Sequence, residues 1–113
     1  MRRHMLQKNF VNRRKAPRFD ASAIPSLRSV HLGEGPEIKL INISRLGALI
    51  ETQERMSPGH GVSLRFITTE KVYSMEGRII RCHADSIDKV FACQCAVAFN
   101  KDFTILPSSE EIG

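Results

Sequence analysis

The sequence predicts an all-β fold, a six-stranded antiparallel barrel with a flexible basic arm ahead of it and a short helical tail behind. Three observations point there. From Leu27 onward the chain is a series of short, β-branched-rich runs, each bounded by turn residues, and no helical pattern of roughly ten residues separates them. At 113 residues the chain can bury one modest core. The divisions it suggests are an arm over 1–20, a barrel over 21–103 and a tail or helix over 104–113.

Residues 1–20 hold neither a strand nor a helix period, Pro17 interrupts them, and Asp20-Ala21-Ser22 reads as a turn. The runs that follow are Leu27–Leu32, Ile38–Ile43, Ala48–Thr52, Val62–Thr68, Val72–Cys82 and Val90–Phe99. Gly33-Glu34-Gly35-Pro36 makes a hairpin-type connection, Ser57-Pro58-Gly59-His60-Gly61 is a loop no helix would survive, and Thr69-Glu70 is a tight link. Alternation is cleanest in the last run, where Phe91, Cys93, Cys95, Val97 and Phe99 should face the core. In the run before it Ile80 and Cys82 share one face and Arg81 and His83 the other, with a bulge expected at Gly77. The second run is ambiguous. Ile38 and Leu40 share a strand face with Asn42, so either that face turns polar at one end or a bulge intervenes. After Phe103, Pro107 and Ser108-Ser109-Glu110-Glu111 read as the start of a short helix with an acidic first turn.

A hydrophobic fraction of 42% and a charged fraction of 26% exclude a disordered or collagen-like chain, and no apolar run is long enough to cross a bilayer as a helix. The formal charge of +5 is concentrated rather than spread. Seven of the 17 Lys and Arg residues lie in the first 18 positions, with no Asp or Glu among them, so the remainder is close to neutral. That distribution suits a local anion site better than a nucleic-acid surface. The basic N-terminus lacks the apolar stretch of an export signal, and three cysteines are an odd, sparse set; both place the protein in the cytoplasm.

Two short motifs carry the chemistry. Arg14-Lys15-Ala16-Pro17-Arg18 offers two planar, permanently charged forks, and Asn42-Ile43-Ser44-Arg45-Leu46-Gly47 offers two short polar side chains where a strand stops and turns. Either alone is weak, since basic pairs are common in such an arm and Asn, Ser and Gly are ordinary turn residues. Their order, a basic arm, a strand, then the polar turn and four further strands, is more specific.

Together they resemble the PilZ domain family, whose signature is R-x-x-x-R in an N-terminal loop and (D/N)-x-S-x-x-G at the turn after the second strand. Both halves match without a gap, and the likeness extends through Ser57-Pro58-Gly59 and Gly77-Arg78-Ile79-Ile80-Arg81, covering nearly everything from Arg13 to Phe103. It implies a barrel that binds cyclic di-GMP, a bacterial second messenger, without catalysis and without a cofactor, and that signals to a downstream protein effector by conformational change. On that resemblance Arg14 and Arg18 clamp phosphate and guanine, Asn42 and Ser44 bond the ligand's other edge, and Gly47 lets the turn approach it. Arg13, just before the arginine motif, would influence whether one ligand or a stacked pair is held, and the stacked pair is the expectation. The chemistry is apt, because a guanidinium pairs bidentately with phosphate or with the O6 and N7 edge of guanine.

Other constellations are weaker. If the last two strands form a hairpin turning near Ser86–Asp88, Cys82 lies opposite Cys93 with Cys95 one step away. Their spacing matches no zinc pattern and their face is otherwise apolar, so they read as core residues and no metal is expected. His4, His31 and His60 are scattered with no nucleophile at recognisable spacing, and the acidic residues read as outward charges, so no enzyme is expected. Two rival readings remain: a PilZ-like interaction module that does not bind the nucleotide, and a small nucleic-acid-binding barrel, which the near absence of aromatics among the basic residues disfavours. A homodimer is compatible with the chain, although the ten residues after Phe103 leave little helix through which to form one.

Overall fold

The structure is a computed structural model describing residues 17–87 and 90–105, with the side chains at 85–87 and 90 outside that description. Six strands form: β1 Leu27–Leu32, β2 Glu37–Ile43, β3 Gly47–Thr52, β4 Gly61–Thr68, β5 Val72–Ile87 and β6 Val90–Phe99. They close in the order β1-β2-β3-β6-β5-β4, with every pair antiparallel and β4 returning to β1. Closure leaves no continuous edge to attract another chain, as the predicted barrel requires. The proposed helix in the tail lies outside the described residues.

Each connection is held by its own chain. Gly35 N–H bonds Leu32 O at 2.7 Å and Leu32 N–H bonds Pro36 O at 3.1 Å, while Gly33 takes a φ of 54°, the left-handed conformation glycine tolerates. The β4–β5 turn is tightened by Thr68, whose hydroxyl donates to Lys71 O at 2.6 Å and accepts from Lys71 N–H at 3.0 Å. The long β3–β4 crossing is anchored to β5 through Gly59 N–H to Ile79 O and Ile79 N–H to His60 O.

Besides a register shift between Leu27 and Ser29 where β1 meets β4, two bulges, one in β2 and one in β5, re-aim the side chains of the site. In β2, Leu40 pairs with Ile50 but Asn42 pairs with Leu49, so Ile41 is the extra residue. One inserted residue inverts the inside–outside parity. Ile38 and Leu40 point inward before the bulge, Ile43 is fully buried after it, and Asn42 is turned to the outer wall. That resolves the ambiguity of the second run in favour of a bulge.

The other bulge corrects an expectation. It falls at Ile80, between the pairs Ile79↔Val97 and Arg81↔Ala96, and not at Gly77. Ile79 is therefore the buried residue and Ile80 is 56% exposed, while Cys82 returns to the inner face. Gly77 is glycine for a different reason: a Cβ there would lie 2.2 Å from Ala98 O, so β5 and β6 could not pair so closely. A second correction concerns the hairpin. β5 continues to Ile87, which pairs with Val90, and Cys82 consequently faces Cys95, with Ala84 opposite Cys93. Ala84-Asp85-Ser86 has little strand propensity of its own. Pairing along β6 supplies what the local sequence lacks.

The core is the barrel interior: Val30, Ile38, Ile43, Ile50, Leu64, Phe66, Ile79, Cys93, Cys95 and Val97 all bury their side chains there. Phe103 is also buried, against Phe66 at a centroid separation of 4.8 Å and close to Tyr73 and Phe99. A segment beyond the last strand thus supplies a core residue.

Candidate functional site

The site is assembled where β2 outruns β1. β1 pairs with β2 only at Val30↔Ile38 and His31↔Glu37, leaving the far end of β2 without that neighbour. Phe19 takes the vacant place: its N–H bonds Ile43 O at 2.8 Å and its carbonyl accepts from Ile43 N–H at 2.7 Å. The next residues form a 3-10 turn, Ala21–Ala23, capped by Asp20, whose carboxylate accepts from the Ser22 N–H at 2.9 Å and from the Ser22 hydroxyl. Those bonds hold the Asp20 carboxyl below the ordinary aspartate range.

Stitching Phe19 to Ile43 sets Arg18 beside Asn42. The Arg18 guanidinium donates to Asn42 Oδ1 at 2.9 Å, joining residues 24 apart in sequence. The β2 bulge is what makes this possible, because without it Asn42 would face the core. Arg18 is exposed and keeps most of its five donors free of this bond, and among the described residues the two N–H donors of the Asn42 amide take no partner. Arg14 and Arg13 lie outside the described residues.

The turn after β2 is cross-bonded by its own residues. Ser44 is buried; its hydroxyl accepts from Leu46 N–H at 3.1 Å and donates to Gly47 O at 3.4 Å, while its N–H bonds the same carbonyl at 2.8 Å. The structure therefore brings Arg18 and Asn42 together on the surface and leaves Ser44 engaged within its own turn. Gly47 sits against β6, where a Cβ would fall 2.2 Å from Val97 O. Its missing side chain lets β3 close on β6. The turn is further fastened from behind by Phe99 N–H to Leu46 O and Phe103 N–H to Arg45 O, each 2.8 Å, and by an ion pair from Arg45 to Asp102 at 3.3 Å.

The strand register extends the site sideways. Asn42 pairs with Leu49, Leu49 with Ala96 and Ala96 with Arg81, so these four form one row across β2, β3, β6 and β5 on the outer wall. The row above it is Gly47, Ala98 and Arg78, and the row below is Lys39, Glu51, Gln94 and His83. The result is a floor of the apolar side chains Leu49, Ala96 and Ala98, with Arg18 and Asn42 at one side and the exposed Arg78 and Arg81 at the other. Sequence reasoning missed these two arginines as site candidates. Their alternation within the fifth run was visible, but only the Ile80 bulge and the β5–β6 register place them on the same wall.

A cleft of about 440 Å³ at the opposite end of the β2–β3 hairpin is lined in part by Glu37, Glu51 and Glu54. Its three carboxylates outnumber the single cation there, Lys39, so the Arg18–Asn42 wall is the more basic of the two surfaces. Among the described residues no helix is long and apolar enough to cross a membrane.

No curated protein and no solved structure is significantly similar to the chain. The family model for the PilZ domain matches residues 12–105, from just before the arginine pair to just past the barrel-capping Phe103. With that match spanning most of its length and a closed six-stranded barrel behind it, the chain belongs to the PilZ domain family.

Proposed function

We propose that this protein is a cytoplasmic receptor for cyclic di-GMP that works without catalysis and relays occupancy of its outer wall to a protein effector. The observation that carries this is the Arg18–Asn42 hydrogen bond, which unites the two halves of the family signature on the barrel surface. The ligand has two phosphates and two guanines, and the wall matches that composition. Arg18, joined by Arg14 and Arg13 from the arm, supplies forks for phosphate or for the guanine O6/N7 edge. The Asn42 amide presents donors and an acceptor to a guanine edge, and the apolar floor of Leu49, Ala96 and Ala98 accepts an aromatic base lying over it. Arg78 and Arg81 stand where a second base or phosphate would reach. Ser44 and Gly47 act on this reading through the turn they hold.

The signal would arise because Arg18 is bonded to Asn42 and Phe19 to Ile43, so a ligand that recruits the arginines also reorders the arm relative to the barrel. Isothermal titration of the full chain with cyclic di-GMP tests the proposal, alongside Arg14→Ala and Arg18→Ala. Binding by the wild type and at least tenfold weaker binding by each variant is the expected result, since a lost charge-assisted bond costs ~1.5–3 kcal/mol. No heat at tens of micromolar ligand would leave the interaction-module reading in its place.

A further inference from the structure

We propose that Cys82, Cys93 and Cys95 form a three-coordinate thiolate site for a soft, thiophilic cation, of which Cu(I) is the probe to use. The three sulfurs converge on one point of the inner wall. Cys82 Sγ lies 3.4 Å from Cys95 Sγ, Cys93 Sγ lies 3.6 Å from Cys95 Sγ, and all three fall within 4.8 Å of one another. An ion equidistant from three thiolates at about 2.3 Å in a plane would hold them roughly 4.0 Å apart. The observed spacings need only small side-chain rotations to reach that geometry.

The placement follows from the register. Cys93 and Cys95 alternate onto the inner face of β6, and the unbroken register running back from the Ile87↔Val90 pair sets Cys82 of β5 directly across from Cys95. Cys93 and Cys95 are fully buried, while Cys82 is half-buried and offers the approach from outside. Three thiols in a core are individually unremarkable, since free cysteine packs as a small hydrophobe. Convergence of all three of the chain's cysteines on one point is a different matter, because it assembles a complete soft donor set.

The donor set also chooses the ion. No His, Asp or Glu joins the group among the described residues, so a cation that demands a fourth ligand, as structural zinc does, is poorly served. Soft thiolate donors and low coordination number favour Cu(I). Burial pushes the Cys82 and Cys95 thiols up. Binding exchanges the chelator's bonds to copper for metal–sulfur bonds, each thiol that ligates gives its proton to solvent, and no electrons change hands because copper enters and remains as Cu(I). Cys82 and Cys95 adjoin Arg81 and Ala96 of the outer wall, so an ion pinning them would stiffen the β5–β6 pair beneath it.

The test uses the full chain, reduced and anaerobic, with Cu(I) buffered by bathocuproine disulfonate. The expected result is one copper retained per chain, three sulfur neighbours at about 2.3 Å by X-ray absorption, and a raised melting temperature. Cys82→Ser is the main variant, because its side chain is only half-buried and the copper-free barrel should keep its circular dichroism. It should lose more than the roughly 10–100-fold in affinity that removal of an outer-sphere partner costs. Cys93→Ala should behave likewise if it folds. Wild type that yields its copper to the chelator as fully as Cys82→Ser does would overturn the proposal. So would an absorption spectrum dominated by nitrogen or thioether ligands, which would move the ion to His4, Met1 and Met5 of the arm.

Discussion

Replacing Gly47 by alanine separates two reasons for a glycine in the signature motif. If it serves only the ligand, the barrel should tolerate a methyl group; if it serves closure, the fold should suffer first. The structure favours closure. A Cβ at Gly47 would sit 2.2 Å from Val97 O, whereas real Cβ contacts below 3.0 Å essentially do not occur. The strands would have to part by roughly 1 Å, and the obstacle is a backbone carbonyl that no rotamer change can move. Overpacking of this kind costs about 1–3 kcal/mol, and a backbone clash belongs at the upper end. With an unfolding entropy near 2.1 cal/mol/K per residue, a chain of 113 residues loses about 13 °C of melting temperature for 3 kcal/mol. Thermal melts followed by far-ultraviolet circular dichroism would measure it. Gly77→Ala, outside the motif but equally 2.2 Å from Ala98 O, should lose a similar amount. Gly61→Ala is the control. Its nearest neighbour would be Gly77 O at an ordinary 3.9 Å, so it should be neutral or stabilising by about 0.4–1 kcal/mol. Gly47→Ala melting within 2 °C of wild type while losing cyclic di-GMP would refute the closure argument.

Truncating Phe103→Ala should cost about 3–5 kcal/mol, because it empties a buried aromatic site against Phe66, and a urea titration would read the loss as a lower midpoint. The Arg45–Asp102 pair is partly solvated, with Asp102 54% exposed, so Asp102→Asn should change stability by less than ~1 kcal/mol. Asp20 has its pKa depressed in the folded chain, so its contribution is present above the unfolded value and lost as pH falls through the folded one. The difference in melting temperature between wild type and Asp20→Ala should therefore shrink as pH is lowered from about 5 to below 3. Arg81→Ala should weaken cyclic di-GMP binding at least severalfold without altering the melt, since the side chain is exposed on the outer wall; unchanged calorimetry would remove Arg81 from the site.

Much of this protein can be read from its residues in order. The number of strands, their approximate limits and the inward set Phe91, Cys93, Cys95, Val97 and Phe99 follow from alternation and turn chemistry, which are local properties. The two halves of the signature are likewise local patterns, and so is the concentration of charge ahead of Phe19. What the residues in order do not disclose is how one strand slides against another. A bulge adds one residue to one side of a pair, and its position depends on what the partner strand offers, here Ile50 and Leu49 opposite Leu40 and Asn42, and Val97 and Ala96 opposite Ile79 and Arg81. Those two insertions decide that Asn42 faces out to meet Arg18 and that Arg78 and Arg81 share its wall, while the Ile87↔Val90 pair sets Cys82 against Cys95. Sequence by itself determined the family, the barrel and the residues available to a site; tertiary structure alone decided which of them stand together, because strand register is a property of pairs and closure a property of all six strands at once.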